Sequence, residues 1–328
     1  MHSFTPPRVP AAFFAIVLGL AGLGNAWRAA VHVWPVPVAV GESLFGLAAV
    51  VWAILVVLFI LKWVQDRELA LVEARHPVNC CFIGLVGVST MLIALGALPY
   101  ARALAMLLFW AGAGFTVAFA VWRTGVLWQG GRDAAATTPV LYLPAVAGGY
   151  VTAITGAALG YHELAQLAFG AAVLSWFAIE SVLLGRLYHL PSLPPVLRPA
   201  LGIQLAPPTV GLTAYLSAYN GAPDLVAHML LGYGLLQAVL LLRLLPWILG
   251  QPFNASYWGF SFGLAALAAA PVRMVAHGDG GLVKMLAPVL FIAGNAVVGL
   301  IAVLTVRLIL QGRLLPPPAP LAASPARG

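Results

Sequence analysis

Charge is sparse in this 328-residue sequence: only 8% of its residues are Asp, Glu, Lys or Arg. Soluble domains carry about 25%, so a water-soluble globule is excluded. Cysteine is scarcer still, with two in the whole chain, and they are neighbours, Cys80 and Cys81. A vicinal pair makes a poor structural disulfide, and without a CxxC no redox motif is expected. His162-Glu163 begins like HExxH, but Gln166 stands where the second histidine would be, so the zinc pair is missing. A phosphate-cradling GxxxxGK loop is absent as well. No metal and no cofactor are therefore expected. The formal charge of +7 does not imply nucleic acid, because the sixteen basic residues are strung across loops and form no patch interleaved with aromatics.

Apolar residues fill the rest: 62% of the chain is hydrophobic and its mean hydropathy is +0.99. One membrane crossing takes about 20 apolar residues. Runs of that length fall at residues 11–31, 40–64, 79–98, 101–123, 139–160, 163–187, 197–220, 222–245, 253–277 and 283–311. The expectation is an all-α polytopic membrane protein with one ten-span domain over residues 1–312 and a disordered Pro-rich tail over 313–328. The first run reads as a helix of the mature protein and not as a cleaved leader. With ten spans, twelve basic residues fall on the side of the termini and four on the other, Arg28, Arg102, Arg273 and Lys284. That asymmetry predicts both termini in the cytoplasm.

The odd-numbered runs start 56 to 68 residues apart, one helical hairpin each, which suggests five hairpins in a ring of approximate fivefold symmetry. Each odd run also carries a glycine or proline in its first half: Gly19, Gly84, Pro144, Pro207 and Gly263. Such residues kink helices and expose backbone polar groups, which a bilayer tolerates only where protein or water meets them. The odd helices are thus candidates to line a central pore, whereas close packing is the alternative use of the same residues. In the ninth run Phe262 directly precedes Gly263, an aromatic ring beside a bare backbone in mid-membrane. Phe262 is accordingly the candidate plug.

Little else in the spans carries chemistry. Glu180 is the one acid well inside a span; it either meets a basic partner such as Arg186 or Arg243, or couples transport to protons. Gly259-Phe260-Ser261-Phe262-Gly263 matches the serine-hydrolase GxSxG literally, but that motif works on a strand-to-helix turn with a histidine in reach. Here it lies in a membrane helix and the nearest histidine along the chain is His277. No enzyme is expected. The midplane polar groups are hydroxyls and amides such as Ser89, Thr90, Thr152, Thr155, Ser261, Gln204 and Asn295, with no ring of acids to attract cations. Passive flow of anions suits such a path.

Several stretches carry a resemblance: Phe13-Phe14-Ala15-Ile16-Val17-Leu18-Gly19-Leu20 with Trp27-Arg28, Tyr142-Leu143-Pro144-Ala145, Gly232-Tyr233-Gly234-Leu235, Leu242-Arg243-Leu244-Leu245-Pro246-Trp247, and Trp258-Gly259-Phe260-Ser261-Phe262-Gly263. From about Pro10 to Gly312 the chain resembles the tellurite-resistance/dicarboxylate transporter family, to which the plant guard-cell slow-type anion channels also belong. The resemblance implies a homotrimer in the bacterial inner membrane, each protomer holding its own pore lined by the odd helices. It implies that the phenylalanine at position 262 blocks that pore, and that Phe14, Gly19, Pro144, Pro207 and Gly263 face it. Ala15 stands where the related bacterial sequence has glycine, and its methyl would narrow the path. The implied partners are small inorganic or organic anions and the bilayer. A proton-coupled carrier or exporter of dicarboxylate, sulfite or tellurite, with Glu180 as the coupling acid, is the alternative.

Overall fold

A computed structural model describes residues 7–219 and 221–315, all of whose regular structure is helical. The expected tail from residue 316 onward lies outside the described residues. In chain order the long elements are α1 (Ala11–Ala30), α2 (Val38–Gln65), the short α3 (Arg67–Arg75), α4 (Asn79–Ala97), α5 (Arg102–Trp128), α6 (Pro139–Leu159) and α7 (His162–His189). They continue as α8, which joins Pro195–Leu205 to Ala206–Tyr219, then α9 (Leu225–Ile248), α10 (Ala255–Ala276) and α11 (Gly281–Leu310). Among the described residues nine helices are long and apolar enough to cross a membrane. Those nine do not include α8, which occupies the place of the expected seventh span.

Burial separates the helices into two populations. In α1, α4, α6 and α10 between 67% and 89% of the most apolar stretch is buried, against 17% to 33% in α2, α5, α7, α9 and α11. Most of α8 is buried too. These five buried helices contact one another in cyclic order, α1 to α4, α4 to α6, α6 to α8, α8 to α10 and α10 back to α1, and each is backed by the helix that follows it across the membrane. The outer helices turn Val50, Ile54, Leu107, Leu174, Val239 and Ile292 outward. An apolar outside is what a lipid-facing surface requires.

The two populations also differ in backbone. Every inner helix starts with tight 3₁₀ winding: Ala11–Phe13, Asn79–Gly84, Pro139–Leu141, Pro195–Leu205 and Ala255–Phe260. In α6 a five-residue π turn, Leu143–Ala147, follows, and it contains Pro144, which has no N–H to give to the ladder. The outer helices are continuous α-helix. Pro139 and Pro195 open their segments, where a missing N–H costs nothing.

The charged connector between α2 and α4 contains α3. Glu73 on α3 accepts from the Ala11 amide at 2.8 Å and pairs with the buried Lys62, which also donates to the Val9 carbonyl at 2.9 Å. One carboxylate thus ties the end of α2 to the start of α1. At the opposite end, Asp224 caps α9 by accepting from Ala227 N at 3.1 Å and from the Tyr215 hydroxyl at 2.5 Å. The Tyr215 bond, then the Ala227 bond, hold its carboxyl below the usual carboxylate range.

Candidate pore and its gate

The inner ring encloses a chain of small cavities. The first, about 40 Å³, is bordered by Ala15, Leu18, Tyr142, Tyr150, Pro207, Trp258 and Phe262 among others. The second, about 20 Å³, lies against Gly22, Asn25, Ile154, Val210, Ala266 and Phe262. The third, about 180 Å³, opens among Asn25, Ile154, His162, Ser217, Arg273 and His277. The first two share Val210 and Phe262; the second and third share Asn25 and Ile154. Phe262 and Val210 therefore border both narrow chambers.

Each inner helix contributes one face to this path, at the spacing of an α-helix. From α1 come Ala15, Leu18, Gly22 and Asn25; from α8 Ile203, Ala206, Val210, Thr213 and Ser217; from α10 Phe262, Ala266, Ala269, Arg273 and His277. Steps of three and four residues keep each set in line. The bed for the Phe262 ring is Gly22 of α1, where an added Cβ would stand 3.4 Å from the ring and 2.8 Å from the Ala265 methyl. Gly263 has a different neighbour: its Cβ position is 2.9 Å from the Ala206 amide, so it lets α10 close on α8. Consecutive residues of a helix point about 100° apart, so a ring does not lie over the glycine that follows it.

The path is apolar around Phe262 and polar at its wide end. The hydroxyls near the midplane serve neighbouring carbonyls: Thr152 donates to Gly148 at 2.8 Å, Thr209 to Leu205 at 2.8 Å and to Gly263 at 3.1 Å. Ser261 donates to Trp258 at 2.8 Å and is fully buried against α1, with no histidine among its hydrogen-bond partners.

Glu180 lies behind the inner ring and borders none of these three cavities. Its Oε2 accepts from the Tyr142 hydroxyl and from Trp176 Nε1 at 3.0 Å; its Oε1 accepts from Gln204 Nε2 at 3.0 Å and the Tyr233 hydroxyl at 2.7 Å. These donors come from α6, α7, α8 and α9. Neither Arg186 nor Arg243 pairs with it. Six residues along a helix is a turn of about 600°, which sends Arg186 to a different face from Glu180.

Residues 8–306 match the model of the family described as voltage-dependent anion channel, SLAC1. A tellurite resistance protein TehA homolog from Haemophilus influenzae is 36% identical over 314 residues, covering 95% of this chain and 94% of that protein. An uncharacterized transporter from Methanocaldococcus jannaschii is 24% identical over 263 residues, covering 70% and 73%. The chain belongs to the SLAC1 family. It is a multi-pass membrane protein of a family of anion channels and transporters, as the resemblance implied.

Within this SLAC1-family chain the residues singled out from the sequence fall into two groups. Ala15, Pro207 and Phe262 border the path. Phe14 is turned outward, edge-on to Phe59 of α2 with ring centroids 6.0 Å apart. Gly19 admits Ser261 and Trp258 of α10, and Gly84 admits the Phe119 ring of α5, 3.1 Å from where a Cβ would be. Pro144 is buried inside its π turn. Gly22, Asn25 and Arg273 were missed by sequence reasoning. Stepping by three and four from Phe262 along α10 would have reached Arg273; Gly22 and Asn25 share a face with Ala15 in the same way.

Proposed function

We propose that this protein is a passive anion channel of the bacterial inner membrane, gated by Phe262. Ten spans arranged as five hairpins of approximate fivefold symmetry, both termini cytoplasmic, and a homotrimer with one pore per protomer complete the proposal. The observation that carries it is the position of the Phe262 ring, which borders both narrow chambers and rests on Gly22. An apolar constriction closed by one ring and flanked by a chamber bearing Arg273 fits an intermittently open anion path better than a tight substrate site. The test is the anion current of the purified protein in planar bilayers. Phe262→Ala joins the first two chambers and should raise the current greatly; a folded variant with unchanged current would overturn the gate.

The proton-coupled carrier of dicarboxylate, sulfite or tellurite is the second reading, and tellurite is favoured within it only by the name of the Haemophilus relative. Its coupling acid would be Glu180. That carboxylate already accepts from four donors and lies off the path, which favours a structural duty.

A further inference from the structure

We propose that Arg273 and Asn25 form an anion-binding site in the 180 Å³ chamber at the C-terminal ends of the inner helices, taking a small inorganic anion such as chloride from solution. The proposal rests on the reading of the chambers as an anion path and identifies where on that path the ion is held.

Three arginines lie near this end of the helices, and two of them are bonded within the protein. Arg28 forms a two-pronged pair with Glu42 and donates to the carbonyls of Leu95 and Gly96 at the end of α4. Arg102 donates to Leu159 at the end of α6, at 2.9 Å. Both do what a cation near a helix C-terminus ordinarily does, which is to satisfy the last carbonyls. Arg273 is in the last turn of α10, yet among the described residues its guanidinium has no hydrogen bond and no ion pair. It lines the chamber instead. The side-chain amide of Asn25 likewise has no partner among the described residues, and Asn25 borders both this chamber and the narrow one beneath Phe262. Unbonded N–H donors from two facing helices thus converge on one space, at the entrance to the constriction.

Among the described residues no carboxylate lines that space. Glu42 is held by Arg28 and Tyr100, Asp224 by Tyr215 and Ala227, and Asp279 lies 3.1 Å from His228. The inner helices also end here, and their C-terminal carbonyls carry partial negative charge. Without Arg273 the chamber would repel the ion that the path is proposed to carry. A fixed cation here offsets the dipoles and raises the local anion concentration.

The experiment measures chloride over potassium selectivity from reversal potentials in a KCl gradient, using Phe262→Ala as the conducting background. Adding Arg273→Gln should lower the permeability ratio by several fold and weaken chloride saturation about two- to fivefold, the scale of one partly exposed charge pair. Adding Arg273→Lys should restore most of the ratio. An unchanged ratio and saturation in the Arg273→Gln double variant would overturn the site while leaving the channel intact. If Phe262→Ala itself passes no current, the channel reading fails, and chloride NMR line broadening still decides the site. Broadening by detergent-solubilised wild type that falls in Arg273→Gln supports binding, and equal broadening refutes it.

Discussion

Replacing Glu180 by alanine removes the common acceptor of four donors, three of which, Tyr142, Gln204 and Tyr233, reach it from other helices. An interhelical hydrogen bond in a membrane protein is worth roughly 0.6–1.7 kcal/mol. Losing three costs about 2–5 kcal/mol, a fall in Tm of roughly 3–7 °C for a chain of this size. Glu180→Gln should behave differently, because the carboxylate divides its partners two and two. An amide can turn its oxygen to Tyr142 and Trp176 and its NH₂ to Gln204 and Tyr233. Gln204 has a buried Oε1 without a partner, so a flip of that amide supplies an acceptor, and the Tyr233 hydroxyl accepts as readily as it donates. Glu180→Gln should therefore stay within about 1 kcal/mol of wild type. The assay is thermal stability in detergent by fluorescence-detected size exclusion, paired with anion flux into vesicles with and without a pH gradient. The glutamine variant is expected to keep both Tm and flux. Full Tm with lost, pH-gradient-driven flux would refute the structural assignment and make Glu180 a coupling acid.

Further outcomes follow from the same geometry. Gly22→Ala places a methyl 2.8 Å from Ala265 and should lower stability by about 1–3 kcal/mol through overpacking of α1 on α10; since the Phe262 ring is only in ordinary contact, the loss in Tm should persist in Gly22→Ala/Phe262→Ala. Ala15→Gly takes a methyl from the wall of the first chamber and should increase the current of Phe262→Ala in bilayer recordings, at a stability cost of about 1 kcal/mol. Glu73→Ala leaves the buried Lys62 without its counter-ion and should cost about 3–5 kcal/mol, read as a fall in Tm.

Hydropathy alone placed the long helices to within a few residues, because a bilayer imposes one length on any crossing. It missed α3, whose nine residues are too charged to register beside the spans. Glycine and proline marked the right helices, yet Gly19, Gly84 and Gly263 lie at helix contacts and not on the path. A residue type reveals that a backbone comes close to something, and only the fold says what. The partners of Glu180 were illegible for a related reason: this half-buried carboxylate is satisfied by hydroxyl, indole and amide groups from four helices, whose positions have no sequence period. Arg273 looked like one more basic residue in an orientation count until its neighbours Arg28 and Arg102 proved to be bonded and it did not.

The 3₁₀ openings of the inner helices bear on how far each span reaches. A 3₁₀ turn rises about 2.0 Å per residue against 1.5 Å for α-helix. The eleven residues of Pro195–Leu205 therefore cover about 22 Å, a distance for which α-helix needs about fifteen. Rewinding that stretch would let α8 accommodate about four inserted residues with no change in membrane thickness crossed. The outer helices, already α throughout, have no such slack, so length variation among relatives should collect at the N-terminal ends of the inner ring.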